Sequence, residues 1–167
     1  MPEHREGTPE WLSDLESFLW WDFDEPELWR NWTAKRGWTA AQTSFEEALS
    51  LQKMLRDLER VNNGMEAAPT QVERLNQAIE AHALRPDVSN GGEVTIRPSG
   101  ADDPVGHVLA LVVRAMHDGV WKRFKLCRDE VCRASYFDAT KNGAKTWCSM
   151  ETCGSRNKMR RFRAKGA

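Results

Sequence analysis

The chain has 167 residues, 40% of them hydrophobic, which suits one ordinary globular domain with a small companion. No apolar run approaches the roughly 20 residues that span a bilayer, so a membrane-spanning helix is excluded. The formal net charge of −1 conceals a split: from Trp121 onward 13 Lys and Arg stand against 4 Asp and Glu, net +9, leaving 11 against 21, net −10, for residues 1–120. A basic module of this kind suits a polyanion, and attraction between the two halves is the alternative. No charged-then-apolar leader opens the chain, so a cytoplasmic location is expected.

Residues 1–7 are polar and expected to fray. Thr8 then reads as a helix N-cap with Pro9 at the first helical position, and Trp11, Leu12, Leu15, Phe18 and Leu19 follow at helical spacing. Asp24 and Glu27 have the spacing of a capping box for a second helix, with Leu28, Trp29 and Trp32 inward and Gly37 as its end. Trp11, Trp20, Trp21, Trp29, Trp32 and Trp38 are six of the eight tryptophans, and bulky rings in short helices point first to a core. A ligand pocket or a partner surface are the other uses of such a cluster.

Ser44 and Glu47 form another capping-box pair before a helix whose inward residues run from Phe45 to Val61, ending at Asn62-Asn63-Gly64, a turn signal. Thr70 and Glu73 open the next helix, with Val72, Leu75 and Ile79 inward, and the two should pack antiparallel. Around 84–98 the period shortens. Two strand-like runs flank Asn90-Gly91-Gly92, which signals a hairpin, and Pro86 and Pro98 argue for exposed edges. Asp103-Pro104 starts a further helix to about Asp118, with Val105, Val108, Leu109, Val112 and Met116 inward. His107 and His117 lie on it about 80° apart and over two turns distant, too far to share a metal. Gly119 marks the boundary of the helical part.

Trp121 to Leu126 alternates apolar with basic residues, so Phe124 and Leu126 are expected on the side opposite Arg123 and Lys125 of a strand. Ala134 to Asp138 reads as its returning partner. All four cysteines lie in this region: Cys127 and Cys132, then Cys148 and Cys153, each pair separated by four residues. Two close pairs joined by a short loop suit a closed, structural four-thiolate zinc site. Disulfides and iron are the alternatives, and a reducing compartment disfavours the first. Trp147 is expected under the metal. After Cys153, Ser155 reads as the N-cap of a basic helix carrying Arg156, Lys158, Arg160, Arg161, Arg163 and Lys165, with Met159 and Phe162 on one face docked on the finger. A cysteine knuckle on a hairpin, then two ligands at a helix entry, suggests a treble-clef-like module.

Trp147-Cys148-Ser-Met-Glu-Thr-Cys153-Gly-Ser-Arg156-Asn-Lys-Met-Arg-Arg-Phe-Arg-Ala-Lys165 and the earlier Cys127-Arg-Asp-Glu-Val-Cys132-Arg-Ala-Ser-Tyr-Phe-Asp138 resemble the CGNR zinc-finger family of bacterial regulators. The resemblance covers about the last quarter of the chain, and Ser155 stands where the family's name-giving motif has Asn. In that family the finger follows a helical domain called ABATE, proposed to be stress-regulatory. Residues before Trp121 are similar to it in length, order and helical character only, and Trp21-Asp22-Phe23-Asp24 is a partial echo of its opening. The resemblance implies a DNA-binding transcriptional regulator.

The expected architecture is therefore mainly α with a small β-hairpin: an acidic helical, ABATE-like domain over residues 1–119 and a four-cysteine zinc finger with a basic helix over 120–167. Cys127, Cys132, Cys148 and Cys153 are the expected ligands of one structural Zn²⁺. The six cations of the last helix are the expected DNA contacts, with Arg156, nearest its N-terminus, the first candidate to read a base. A zinc-stabilised protein-interaction module, or RNA binding through Trp121, Tyr136, Phe137 and Trp147, is the alternative. No nucleophile–base or phosphate-loop motif argues for an enzyme. A single short helix would cover few base pairs, so a homodimer would extend the contact, and the N-terminal domain is where a small-molecule or protein signal would act.

Overall fold

The structure is a computed structural model and describes residues 7–21, 24–39, 42–66, 68 and 70–165, without the side chains of Gln42 and Thr43. Residues 1–6 of the stretch expected to fray, and Asp22 and Phe23 of the partial motif, lie outside them. Six α-helices and two antiparallel strand pairs are found among the described residues. In order they are α1 (Ser13–Trp20), α2 (Pro26–Ala34), α3 (Gln42–Asn62), α4 (Thr70–Ala81), β1 (Arg85–Val88), β2 (Val94–Arg97), α5 (Pro104–His117), β3 (Phe124–Leu126), β4 (Ser135–Phe137) and α6 (Ser155–Lys165). The fold is mainly α, as expected. No helix among the described residues is long and apolar enough to cross a membrane.

The 21-residue α3 is the central element, packed against α1, α2, α4, α5 and β3. Leu12, Leu15, Phe18, Leu19, Trp29, Leu55, Val108, Leu109 and Val112 are fully buried around it. Each such side chain stabilises the fold by about 1.5–3 kcal/mol relative to exposure. Trp29 and Trp32 stack with ring centroids 5.3 Å apart, and Phe18 meets both. Two polar groups settle these indoles: Trp29 Nε1 donates to Ser44 Oγ at 3.0 Å and Trp32 Nε1 to Ser17 Oγ at 2.7 Å. Trp38 stacks flat on His107 at 4.8 Å, and Arg114 lies over Trp11. Trp20 and Trp21, in contrast, line an open cleft of about 510 Å³ with Leu28 and Arg56.

Three expected helix starts differ. The chain first makes a 3₁₀ turn over Glu10–Leu12, and α1 follows from Ser13 without a side-chain cap; Thr8 is itself buried. Glu25, not Asp24, precedes α2, where Pro26 takes the first position and no carboxylate caps the turn. Ser44 lies inside α3, and its hydroxyl accepts from the Trp29 indole. At α5 the cap is as expected: Asp103 accepts from Gly106 N at 2.8 Å, and its other oxygen meets His82 Nδ1 at 2.8 Å. The β1–β2 hairpin forms in the expected place, with Val88 opposite Val94 and both exposed.

Gly119, at φ 71°, turns the chain out of α5, a conformation costly for a residue with a Cβ. The apolar core continues past it. Trp121 and Phe124 belong to the same cluster as Phe18 and Trp29, and Phe137 packs against it edge-on to Phe124. Segment 121–123 is a 3₁₀ turn, so only Phe124–Leu126 is strand. The register of β3 and β4 pairs Phe124 with Phe137, Lys125 with Tyr136 and Leu126 with Ser135.

Candidate metal centre and basic helix

The hairpin β3–β4 carries the first cysteine pair in its connecting loop. Cys127 follows β3 directly, and its amide donates to Ala134 O at 2.9 Å. Asp129 then shapes the knuckle. Its carbonyl accepts from the amides of Cys132 at 2.9 Å and Arg133 at 3.0 Å, and its carboxylate accepts from Val131 N at 3.2 Å. Arg133 leaves the knuckle in the left-handed region at φ 46°. The second pair comes from a bend at Cys148 and a π-helical turn, Met150–Gly154, that runs straight into α6.

These elements bring all four thiol sulfurs within 4.8 Å of one another. Cys132 and Cys148 are 3.6 Å apart, Cys148 and Cys153 3.7 Å. A tetrahedral ion with bonds of about 2.3 Å to sulfur sets its ligands about 3.8 Å apart, so the spacing is that of one metal ion's coordination shell. It is far from the roughly 2.05 Å of a disulfide, and all four cysteines are free. Four sulfurs at this spacing close the shell and leave no coordination position for a substrate. Tyr136 is buried beside Cys127 and Cys153, and Trp147 packs against them as expected. Gly154 belongs to this packing, since a Cβ there would lie 2.9 Å from the sulfur of Met150 and 3.4 Å from the Trp147 ring.

The C-terminal end of α3 holds the finger from outside. Asn62 Nδ2 donates to the carbonyls of Trp121 and Phe124, each at 2.9 Å. Asn63 Nδ2 donates to those of Leu126 at 2.8 Å and Thr146 at 3.1 Å, so it joins β3 to the loop that delivers Cys148. Arg128 Nε donates back to Asn63 O at 2.9 Å. One turn earlier, fully buried Glu59 accepts a short hydrogen bond from Ser135 Oγ. Burial pushes the Glu59 carboxyl up from 4.5 to about 8, against smaller lowering by Ser135 and Arg56. The Asn62-Asn63 pair read in the sequence as a turn; the same residues fasten the metal module to the body.

Both sides of β3 are buried, the one that carries Lys125 included. Lys125 is buried, with Nζ 2.8 Å from Asp138 Oδ2 and 3.2 Å from Lys145 O, and bonded to Gly143 O. Asp138 also accepts from Thr140 N at 3.0 Å and Lys145 N at 2.9 Å. Burial raises the Asp138 carboxyl, but these donors, Lys125 first among them, outweigh it and hold it at about 2. The pair thus pins the loop between β4 and Cys148.

Ser149, not Ser155, caps the entry to the last helix: its Oγ accepts from Thr152 N at 3.3 Å. Ser155 is already helical, and its hydroxyl donates to Met150 O at 3.1 Å. The side of α6 that docks is polar. Arg156 and Arg160 reach fully buried Asp129 at 2.9 and 3.2 Å, and Asn157 Nδ2 donates to Cys153 O at 2.9 Å. Burial raises the Asp129 carboxyl, yet Val131 N and the two guanidiniums outweigh it and hold it below the usual range. Arg156 therefore anchors the helix to the knuckle. Met159 and Phe162, expected to dock on the finger, are instead 52% and 75% exposed, because these polar residues occupy the contact. Lys158, Arg161, Arg163 and Lys165 are exposed and make no ion pair among the described residues.

Residues 123–166 match the CGNR zinc finger, a span that contains all four cysteines and all of α6. No curated protein matches the chain.

Proposed function

We propose, taking segment 123–166 as a CGNR zinc finger, that the four cysteines hold one structural Zn²⁺ and that the module binds duplex DNA through α6 as part of a transcriptional regulator. The observation that carries this is the division of labour along α6. Arg156 and Arg160 anchor the helix on Asp129, while Lys158, Arg161, Arg163 and Lys165 stand free on an exposed cylinder of the width the major groove admits. Zinc would supply the cross-link that fixes the knuckle and the helix entry relative to each other, a contribution of roughly 10–16 kcal/mol in small zinc modules. The net +9 of the segment from Trp121 favours a polyanion, and the −10 of residues 1–120 keeps the body off it.

The test is binding of full-length protein to a fluorescent duplex at low salt, before and after removal of the metal. Binding that disappears with the metal and returns with zinc supports the reading. Absence of binding by zinc-loaded protein at low salt refutes it, and an acidic protein partner for α6 then becomes the reading to pursue.

A further inference from the structure

Six cations on eleven residues would ordinarily suggest that an arginine of α6 reads the bases. The geometry points elsewhere. At 100° per residue, Phe162 projects about 160° away from Arg160 and about 120° away from Arg156, the two residues that fix the inner side. Met159 lies about 60° from Phe162 and about 60° from Arg156, on the flank between Phe162 and the docked side, while Lys158, about 160° from both arginines, points most directly outward. Lys158 and Lys165 border the pair on one flank and Arg163 on the other. One flank of the helix is thus an exposed apolar pair, 52% and 75% accessible, bordered by cations that make no ion pair among the described residues. Two adjacent, largely exposed apolar side chains bordered by charged ones form a candidate contact surface.

A partner for this edge must be apolar at its centre and anionic at its rim. The major groove has that pattern at A·T pairs, where the thymine C5-methyl projects from the floor between two phosphate walls. We infer that Phe162 and Met159 are the base-reading residues of α6, seated on thymine methyl groups, with Lys158, Arg161, Arg163 and Lys165 on the phosphates. This inference rests on the DNA reading above. It assigns sequence preference to apolar contact and affinity to the cations, so each can be removed without the other. An anionic lipid surface would need a broader apolar face than two side chains on one short helix provide.

The experiment selects binding sites for the full-length, zinc-loaded protein from a random duplex pool. It then replaces each thymine of the selected site by deoxyuridine, which deletes only the methyl. The expected loss is about fourfold per contacted thymine, from burial of one methyl-sized group. The double variant Phe162→Ala, Met159→Ala should bind without that loss and with an unchanged salt slope. Its fold is not in question, since both side chains are exposed; circular dichroism and zinc content verify it. A selected site that tolerates every deoxyuridine overturns the inference and leaves the DNA reading standing. Tight binding with no enriched sequence overturns it too. No affinity for any duplex removes both, and binding to vesicles of anionic lipid instead would identify the edge as a membrane contact.

Discussion

Replacing Asp138 by Ala tests whether a buried ion pair delivers the second half of the metal site. In the native chain Asp138 has no exposed side-chain surface and Lys125 only 5%. Removal of the carboxylate leaves the ammonium buried with carbonyl partners alone and strips the amides of Thr140 and Lys145 of their acceptor. Breaking one side of a buried pair costs about 3–5 kcal/mol. Lys125→Met should cost less, about 1–3 kcal/mol, because Asp138 keeps its donors from Thr140 and Lys145 and the methionine fills the lysine's space. Adding Lys125→Met to Asp138→Ala should recover part of the loss, since no uncompensated charge then remains. Urea unfolding followed by tryptophan fluorescence gives the stabilities, and a competing chromophoric chelator gives the zinc affinity, which should fall with Asp138→Ala. The acid dependence has a definite sign. The Asp138 carboxyl is held at about 2 against an ordinary 3.8, so its contribution is complete above about pH 4 and is lost as pH falls through about 2. The reasoning fails if Asp138→Ala costs under about 1 kcal/mol, or if the double variant is weaker than the single.

Three further outcomes are expected. Glu59 keeps a proton in the folded chain that the unfolded chain releases between 4.5 and about 8, so stability should decline as pH rises through that window. Glu59→Gln should remove most of the decline, measured as urea midpoints from pH 5 to 8. Phe124 is fully buried in the body's core yet lies three residues before Cys127, so Phe124→Ala should cost about 3–5 kcal/mol and shift one shared unfolding transition. Two separate transitions in calorimetry would contradict that coupling. Cys148→Ser should abolish stoichiometric zinc by elemental analysis and loosen α6 from the knuckle, seen as rapid amide exchange over 155–165; retained zinc would count against the four-thiolate site.

The features legible in the sequence were those with local signatures. Cysteine spacing pointed to the four-thiol cluster, helical periodicity found the long helices, and Asn90-Gly91-Gly92 located the hairpin. What escaped were residues whose role is set by a distant partner. Strand alternation says only that Lys125 faces away from Phe124 and Leu126; Asp138, thirteen residues on, accounts for its burial. Asn62 and Asn63 looked like turn residues, because their acceptors lie some sixty positions away. Ser44 fitted a capping box but serves an indole fifteen residues before it. The apolar spacing of Met159 and Phe162 suggests a docking face, but Arg156 and Arg160 have a buried aspartate to reach. Periodicity finds the faces of a helix; which face turns inward depends on what the rest of the fold offers it.

The central claim is that the free cations of α6 meet DNA phosphates, and the salt dependence of binding tests it most directly. Each phosphate contact contributes about −0.9 to the slope of log affinity against log salt, so four contacts by Lys158, Arg161, Arg163 and Lys165 predict a slope near −3.6. Replacing Arg161 and Arg163 by Ala should bring it to about −1.8 for every sequence tested, while the exposed positions leave folding and zinc content unchanged. A slope that does not move when these two residues are replaced would contradict the account.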